Sequence, residues 1–415
     1  MYKERFADAV IKERLHAAGA ILIEGPKACG KTEMASQIAK SIIHMDSDPN
    51  IKTRMEVDPF LILGGENPRL IDEWQLFPEI WNYVRREVDN RKQMGQFILT
   101  GSSTPEDDYR RHSGVGRFSI IQLSTMSLYE KDWSSGEVSL LDTVSGQPPT
   151  SSDVPFSLGD YAEMMTLGGW PGLINKSATQ GRRFAIDYVN LVSDVDISRV
   201  SDKKRDPVKI KKLIQSLARN VSTEVSIAAL SKDTNGSDGM LDANTISDYL
   251  TALDRLMVSD NLPAWNVHIR SSDKLRKSPK RHFVDPSICI GALELSIDKI
   301  LSDLSYFGLL FESLVIRDLK IYADAIGGKV YHYRDSRDLE VDAIVEFADG
   351  SWSAFEIKLG MGSADDAAKS LLTLSNKIDK SKASEPSSLN VITANGFAHR
   401  RKDGINVIPI GTLTK

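Results

Sequence analysis

The segment GPKACGKT, Gly25 to Thr32, constrains the fold of this chain more than any other stretch. It follows the short apolar run AILIE (20–24), which is typical of a buried parallel strand. A helical pattern comes next, with apolar residues at Met34, Ala35, Ile38, Ala39 and Ile42. The spacing G-x-x-x-x-G-K-[ST] between a strand and a helix predicts a loop whose backbone N–H groups surround phosphate. A glycine turn that only closes a strand–helix unit is the alternative.

Each position of this loop has an expected contact with a nucleoside triphosphate. Lys31 is expected to reach the β- and γ-phosphates, and Thr32 is expected to hold Mg²⁺. The predicted nucleotide contacts in the loop are Gly25, Pro26, Lys27, Ala28, Cys29, Gly30, Lys31, Thr32 and Glu33.

Later segments supply polar residues of the kind that such a site uses. In RLIDEW, Asp72 ends a predicted strand and can hold the Mg²⁺ shell, while Glu73 can polarise the attacking water. In QFILTGSS, Thr100 and Ser102 lie at a strand tip and can contact the γ-phosphate; a satisfied loop hydroxyl explains either residue equally well. Arg117 can supply charge to the transition state, within one chain or across a subunit boundary, and a solvated arginine is the alternative. The arrangement across a boundary requires a homo-oligomer.

Length and composition limit the class of protein. A chain of 415 residues exceeds the roughly 250 residues at which single domains split, so several domains are expected. The hydrophobic share of 41% and the charged share of 26% are those of a soluble globular protein. The net charge of −5 excludes a protein that coats nucleic acid over its whole surface. Two cysteines without metal-site spacing, a charged amino terminus and no long apolar run predict a cytoplasmic protein without a membrane segment.

The order of predicted elements divides the chain into four domains. Alternating strands and helices predict an α/β fold with a parallel sheet, a P-loop NTPase domain over residues 1–150. The stretch GQPPTSSDVPFSLG predicts a loop or linker, and a helical lid or connector follows over 151–206. Residues 207–290 show three helices and then two strands, the order of a winged helix-turn-helix, and 291–415 form the last domain. The peptide TLGGWPGLI (166–174) is assigned no role, because Gly-Gly and Pro-Gly pairs most often mark turns.

Two basic clusters in the third domain predict contacts with the phosphates of DNA. Their members are Lys203, Lys204, Arg205, Lys209, Lys211, Lys212 and Arg219, and then Arg270, Lys274, Arg276, Lys277, Lys280 and Arg281 at the expected wing. A surface that only keeps loops soluble, or a winged helix that contacts protein, is the alternative.

The hairpin EVDAIVEFADGSWSAFEIK, residues 340–358, carries two carboxylates and a lysine on neighbouring strands. A two-residue turn would pair residue 342 with 357 and send Asp342 and Glu356 to opposite faces. A three-residue loop with Gly350 in the left-handed conformation would pair 342 with 356, so that both carboxylates share one face. That register needs a cation or a proton between the like charges, and Mg²⁺ is the natural candidate. Lys358 would then lie on the same face and could stabilise a transition state.

The D…E-x-K order of this hairpin resembles the core of PD-(D/E)xK nucleases, which often take a further acid from a preceding helix. Glu312 fits, because it lies on a largely apolar stripe of a predicted helix, where an unpaired carboxylate is costly. The resemblance implies Glu312, Asp342, Glu356 and Lys358 as catalytic residues, with Asp342 and Glu356 as metal ligands. An internal salt-bridge network in a domain that has lost cleavage is the alternative.

Motifs along nearly the whole chain resemble one family. GPKACGKT, RLIDEW, LTGSS, GRFSIIQLSTMSLYE, KSPKRHFVDPSI, FESLVIRDL, EVDAIVEF and FEIK are similar to the AAA-type ATPases of bacteria and archaea that carry a C-terminal domain of unassigned function. The resemblance implies an AAA-like P-loop domain that uses ATP and Mg²⁺, a winged helix and a restriction-endonuclease-like α/β domain.

Two hypotheses follow. The first is an ATPase, with Lys31, Thr32, Asp72 and Glu73 carrying hydrolysis, whose nucleotide state is coupled to a winged helix and a nuclease-like domain acting on DNA. The second is a nucleotide-regulated binding or scaffold protein whose nuclease-like domain is catalytically inactive.

Overall fold

Two β-sheets and a set of helices between them make up the chain. The computed structural model describes residues 2–102, 113–197, 205–235, 239–266, 278–335, 337–378 and 384–415. The strands are β1 Ala20–Glu24, β2 Ser41–His44, β3 Arg69–Asp72, β4 Phe97–Gly101, β5 Phe118–Gln122, β6 Val138–Ser139, β7 Lys329–Arg334, β8 Glu340–Glu346, β9 Trp352–Lys358, β10 Ser388–Thr393, β11 His399–Arg400, β12 Asn406–Pro409 and β13 Leu413–Thr414. The α-helices are Phe6–Ala17, Lys31–Ser36, Ile51–Val57, Phe60–Leu63, Ile80–Arg91, Leu140–Val144, Leu158–Leu167, Ala178–Leu191, Pro207–Arg219, Ile227–Asp233, Ala243–Arg255, Ser287–Ala292, Ile297–Leu301, Leu304–Ala325 and Ala364–Lys377.

The first sheet is parallel throughout, in the order β2-β3-β4-β1-β5. Side chains of β1 alternate between two cores: Ala20 and Leu22 pack on one face, and Ile21 and Ile23 pack on the other. Both faces are therefore buried, as in sheets that carry helices on both sides. The predicted α/β class with a parallel sheet is confirmed.

The helix after the glycine-rich loop is shorter than the apolar spacing from Met34 to Ile42 indicates. It ends at Ser36, because the next residues close into tight turns: Gln37 N–H donates to Met34 O and Ile38 N–H to Ala35 O. Ile42 belongs to β2, and the run IIHMD (42–46) also indicates a strand there, besides fitting the helix spacing. The apolar residues after Ser36 therefore serve a turn and a strand, although their spacing also fits a helix.

The second sheet has six strands in the order β11-β12-β10-β9-β8-β7. The helix Leu304–Ala325, called the long helix below, packs on one face with Ala343 and Phe355. The helix Ala364–Lys377 packs on the other face with Ile344 and Ala354.

The middle of the chain shares a core with this second sheet. Tyr161, Leu213, Phe311 and Ala343 all belong to one buried cluster. In the stretch between helices Leu140–Val144 and Leu158–Leu167, Val154 N–H donates to Gly396 O at 2.9 Å, so the expected linker lies against the last domain. Within the described residues, no helix combines the length and the apolar character that crossing a bilayer requires.

Candidate nucleotide site and acid cluster

The register of the parallel sheet brings the predicted nucleotide residues to one edge. Asp72 pairs with Thr100 across β3 and β4, and Glu24, which precedes the loop, pairs with Gly101 across β1 and β4. Because the carboxyl ends of parallel strands meet at one edge, the loop, Asp72 and Thr100 become neighbours there.

Two glycines of the loop, Gly25 and Gly30, occupy positions where the backbone geometry favours glycine. Gly30 has a φ of 97° where the chain turns into the helix Lys31–Ser36, a conformation that favours glycine. A Cβ at Gly25 would lie less than 3.0 Å from the main-chain oxygen of Leu123, so only glycine fits there. Lys31 is buried, and its Nζ donates to Gly25 O at 2.9 Å and to Pro26 O at 2.8 Å. The ammonium group is thus held inside the loop, where phosphate oxygens can replace these two carbonyls.

Asp72 is the acceptor on which the neighbouring hydroxyls converge. Its Oδ1 accepts from Thr32 Oγ1 at 2.8 Å and from Thr100 Oγ1 at 2.6 Å, and its Oδ2 lies 3.0 Å from His44 Nδ1. Thr32 and Asp72 thereby present two adjacent oxygen ligands, which fits Mg²⁺ with water and phosphate oxygens as its other ligands. The hydroxyl of Thr100 is turned toward Asp72.

Glu73 follows Asp72 in the left-handed region, with a φ of 55°. Its carboxylate accepts from the side-chain amide of Gln75, and Ser102 Oγ donates to Glu73 Oε2 at 3.4 Å. Glu73 and Ser102 are therefore partners of each other at the edge that carries the loop.

Arg117 lies at the other end of the sheet. Its carbonyl accepts from Ala20 N–H at the start of β1, four residue steps before Glu24, which is roughly 13 Å along a strand. Its guanidinium pairs with Asp89, with Nε 3.0 Å from Oδ1. Arg117 therefore cannot reach a nucleotide in its own loop, and only the arrangement across a subunit boundary stays a prediction.

Three neighbours of the loop, Arg5, Glu130 and Asp196, were not predicted from the sequence. Arg5 is buried and donates from Nη1 to Cys29 O at 3.3 Å, and its Nε pairs with Glu130 at 3.1 Å. Lys27 forms an ion pair with Asp196. Nothing in the local sequence around these residues indicates such long-range partners.

The peptide TLGGWPGLI, to which the sequence assigned no role, contacts the loop. A Cβ at Gly30 would lie 3.2 Å from Pro171 Cγ, so the proline packs directly on the loop. Gly169 N–H donates to Asp285 Oδ2 at 2.7 Å, and a Cβ at Gly169 would come within 3.0 Å of Met126 O. The Gly-Gly pair is thus a close-packing site, and its dense glycine content was the available signal.

Asp285 joins three parts of the chain. Besides Gly169, its Oδ2 accepts from Thr125 Oγ1 at 2.9 Å and from Arg317 Nη1 at 3.0 Å on the long helix. Arg317 also pairs with Asp318 at 2.7 Å, and Asp318 Oδ2 accepts from Leu128 N–H at 2.8 Å. The P-loop side of the molecule and the long helix are therefore connected through buried charged groups.

The hairpin of β8 and β9 has the three-residue loop. Ala343 pairs with Phe355, Phe347 N–H donates to Ser351 O at 2.9 Å, and Gly350 has a φ of 83°. Continuing this register by one residue places Asp342 opposite Glu356.

Two lysines lie among the carboxylates at this point. Lys280 Nζ is 2.8 Å from Glu312 Oε1, 2.8 Å from Glu340 Oε1 and 3.3 Å from Asp342 Oδ1. Lys358 Nζ is 2.7 Å from Glu356 Oε2 and 3.5 Å from Asp342 Oδ2. We call these four carboxylates and two lysines the acid cluster. It unites the four predicted residues Glu312, Asp342, Glu356 and Lys358 with Glu340 and Lys280, which were not predicted to take part.

Burial and charge set the protonation of the acid cluster. Burial, with the neighbouring charge of Asp342, raises the pKa of Glu312 and of Glu356 to about 8. Burial alone would also raise the pKa of Asp342, but Lys280 and Lys358 outweigh it and the pKa of that carboxyl is lowered. Four carboxylates facing two ammonium groups leave two negative charges, and protons on Glu312 and Glu356 can remove them. Among the described residues, no group of three or more His, Cys, Asp or Glu side chains is arranged to hold a metal ion.

Three described members of the basic clusters are paired with carboxylates. Lys203, Lys204, Arg270, Lys274, Arg276 and Lys277 lie outside the described residues. Arg205 pairs with Asp248 at 2.9 Å and Arg219 with Asp233 at 2.8 Å. Lys280 was expected at the wing surface, but it is buried in the acid cluster, so that expectation is wrong. A lysine among three carboxylates is stabilised there by their charge.

Three family models match the chain. Residues 17–131 match an AAA domain, residues 158–299 a domain of unknown function (DUF8612) and residues 307–413 another domain of unknown function (DUF4143). The first match covers the loop, Asp72, Glu73 and Thr100. The amino-terminal domain is a P-loop ATPase domain.

Two relatives match most of the chain. The uncharacterized proteins Mb2031c of Mycobacterium bovis and Rv2008c of Mycobacterium tuberculosis are 25% identical over 362 residues, which is 86% of this chain and 74% of each relative. Among solved structures, the Walker-type ATPase PABY2304 of Pyrococcus abyssi aligns over 69% of this chain and 94% of its own, with 11% identity and a TM-score of 0.42. The STAND protein PH0952 of Pyrococcus horikoshii, which has a tetratricopeptide repeat sensor, aligns over 79% and 50%, with 11% identity and a TM-score of 0.21.

Proposed function

We propose that this protein hydrolyses ATP with Mg²⁺ at the loop Gly25–Thr32. The observation that carries the proposal is the convergence of Lys31, Thr32 and Asp72 at one sheet edge, with Thr32 Oγ1 2.8 Å from Asp72 Oδ1. That arrangement supplies a cation for the phosphates and two oxygen ligands for the metal, which is what phosphoryl transfer requires.

The residues of the site have separate roles in this proposal. Lys31 binds the β- and γ-phosphates in place of its two carbonyl partners, and Thr32 and Asp72 would hold Mg²⁺, which supplies charge neutralisation when bound. Thr100 holds Asp72 in position through its 2.6 Å hydrogen bond. Glu73 orients and polarises the attacking water, and Ser102 holds the Glu73 carboxylate. Arg117 acts only from a neighbouring copy.

Binding of a fluorescent ATP analogue in the presence of Mg²⁺ tests the first step. Lys31→Ala is expected to weaken binding by at least roughly tenfold, since a hydrogen bond from a charged donor contributes about 1.5–3 kcal/mol. Lys40→Ala is the matched control, because Lys40 is exposed and lies nine residues further along. Equal affinities for the two variants would overturn the proposed site.

We further propose that the nucleotide state is coupled to the remainder of the chain through Asp285. Pro171 packs on the loop, Gly169 bonds Asp285, and Asp285 bonds Arg317 on the long helix. A change in the loop can thus reach the helix that carries Glu312. Loss of the nucleotide-induced change in proteolysis in Arg317→Met, with ATP affinity retained, is the expected result; a nucleotide-induced change as large as that of the wild type contradicts the route.

The acid cluster favours the second hypothesis for the last domain, a nuclease-like fold used for binding without cleavage. Lys280 and Lys358 form ion pairs with Glu312, Asp342 and Glu356, the carboxylates that cleavage would need to bind Mg²⁺. We expect no Mg²⁺-dependent cutting of plasmid or single-stranded DNA by the wild-type protein. Cutting that is lost in Asp342→Ala and Lys358→Ala would restore the nuclease hypothesis.

DNA binding by residues 207–290, as a winged helix, is a separate proposal. It rests on the order of helices and strands and on the sequence of the second basic cluster. A steep fall of DNA affinity with salt, lost in a Lys274/Arg276/Lys277 triple alanine variant, is expected. Absence of binding at low salt would remove DNA as a partner.

A further inference from the structure

Lys280 is buried, although the sequence predicts a lysine on the surface of the wing. It lies on a short extended segment, where its N–H and carbonyl bond Leu262 at 3.0 and 2.9 Å. Its side chain is only 2% exposed and passes from the middle of the chain into the last domain. Burying an ammonium group costs several kcal/mol unless it is well paired, so its position is determined by the carboxylates that it meets.

The three carboxylates around Lys280 arrive from different elements. Glu312 comes from the long helix and Glu340 and Asp342 from β8, and all three place an oxygen within 3.3 Å of Nζ. Oxygen atoms from three acids that converge on one point form a site for positive charge, and Lys280 Nζ fills that point. The charge of these acids keeps Lys280 protonated, because it raises the pKa of Lys280 more than burial lowers it.

We propose that Lys280 is an autoinhibitory plug: its ammonium group fills the position that a divalent cation would take among Glu312, Asp342 and Glu340. While Lys280 is in place these three acids are not arranged to hold a metal ion, and they can hold one only when Lys280 withdraws. Lys358 and Glu356 complete the rim of the site at 2.7 Å from each other and stay with β9. The proposal is independent of ATP hydrolysis, because it concerns only the charges of Lys280 and of the carboxylates that it meets.

The segment that carries the plug has a connection through which it can be moved. Asp285 lies five residues after Lys280 and accepts a hydrogen bond from Gly169 N–H. Pro171, two residues after Gly169, packs on the nucleotide loop. Displacement of this segment would draw Lys280 out of the acid cluster while the carboxylates remain on the long helix and β8.

Binding of Mn²⁺ without nucleotide tests the plug. The parent protein for this test carries Asp72→Asn, which removes a metal ligand of the nucleotide site, and it is compared with the same protein carrying Lys280→Met. Free Mn²⁺ is measured by electron paramagnetic resonance. Lys280→Met, which keeps the length of the side chain and loses the charge, is expected to bind one Mn²⁺ per chain at least roughly tenfold more tightly than the parent. The same affinity in the parent and in Lys280→Met overturns the proposal.

Two more variants separate the plug from a general loss of structure. Lys280→Arg keeps the charge and is expected to behave as the parent. Lys280→Met with Glu312→Gln and Asp342→Asn removes two carboxylates and is expected to lose the Mn²⁺ again; Mn²⁺ binding that survives in this variant contradicts the assigned ligands. If Lys280→Met is recovered only partly folded, a rise in its melting temperature with Mn²⁺ that the parent lacks supports the plug, and no rise overturns it.

Discussion

The carboxylate of Asp72 contacts three side chains of the nucleotide site. It accepts from Thr32 and Thr100, and its second oxygen faces His44, so one buried side chain joins the loop to three strands. The sequence placed Asp72 at a strand end and predicted a metal ligand. It did not predict His44 or the role of Thr100, because both depend on the register between strands.

Asp72→Asn is expected to weaken the Mg²⁺-dependent part of ATP binding by about tenfold or more while the protein stays folded. The amide oxygen can still accept from the two threonines, but it is a weaker Mg²⁺ ligand. Calorimetric titration with ATP in Mg²⁺ and in EDTA measures the effect, with exposed Asp46→Asn as control. An unchanged ratio of the two affinities would count against Asp72 as a metal ligand.

Lys131 predicts a pH dependence of stability. Burial lowers its pKa from 10.5 to about 7, and its Nζ donates to Gly168 O at 2.6 Å. Between pH 7 and about 10 the unfolded chain keeps this proton and the folded chain does not, so the Lys131 contribution to stability rises with pH, by at most about 1.4 kcal/mol per unit. Urea unfolding of wild type and Lys131→Met at pH 7, 8.5 and 10 measures it. The free energy of unfolding of the wild type, relative to that of Lys131→Met, is expected to rise with pH. Lys12→Met, at an exposed position, is the control and is expected to show no such change relative to the wild type.

At the scale of elements, strands were easier to predict than helix ends. AILIE is β1 with the same bounds, because a buried parallel strand is a plain apolar run between turn signals. The helix after the loop ended early, since turn hydrogen bonds at Gln37 and Ile38 compete with a spacing that fits both states. The hairpin sequence allowed two registers, and the positive φ of Gly350 belongs to the three-residue loop.

The Gly-Gly peptide gives a test at the same scale. Gly169→Ala is expected to destabilise the protein by about 2 kcal/mol or more, because the new methyl group would meet the main chain of Met126. Gly172→Ala, three residues on, is the control, since a Cβ there would meet no heavy atom of the described residues within 4 Å. Thermal unfolding measures both variants. Equal melting temperatures would contradict the close packing of this peptide.

At the scale of the whole molecule, sequence reasoning separated what the structure joins. The middle helices and the second sheet share a core, and Asp285 and Lys280 each bond residues far away in the sequence. Composition and spacing carry no information on such contacts. The basic cluster containing Lys280 therefore looked like a surface, although this lysine is part of a buried site.

Arg317→Met is expected to cost about 3–5 kcal/mol of stability, because it leaves Asp285 and Asp318 buried without their cation. Arg183→Met is the control, since Arg183 is 78% exposed and pairs with Asp187 at the surface. Urea unfolding measures the loss. A loss no larger than that of Arg183→Met would show that this charged network does not hold the molecule together.

Turnover of ATP by Glu73→Gln tests the central claim most directly. The account predicts that wild type hydrolyses ATP with Mg²⁺, that Glu73→Gln binds ATP as tightly but hydrolyses it at least about 100-fold more slowly, and that exposed Glu56→Gln behaves as wild type. Hydrolysis by Glu73→Gln at the wild-type rate, or no hydrolysis by wild type at saturating Mg²⁺ and ATP, would contradict it.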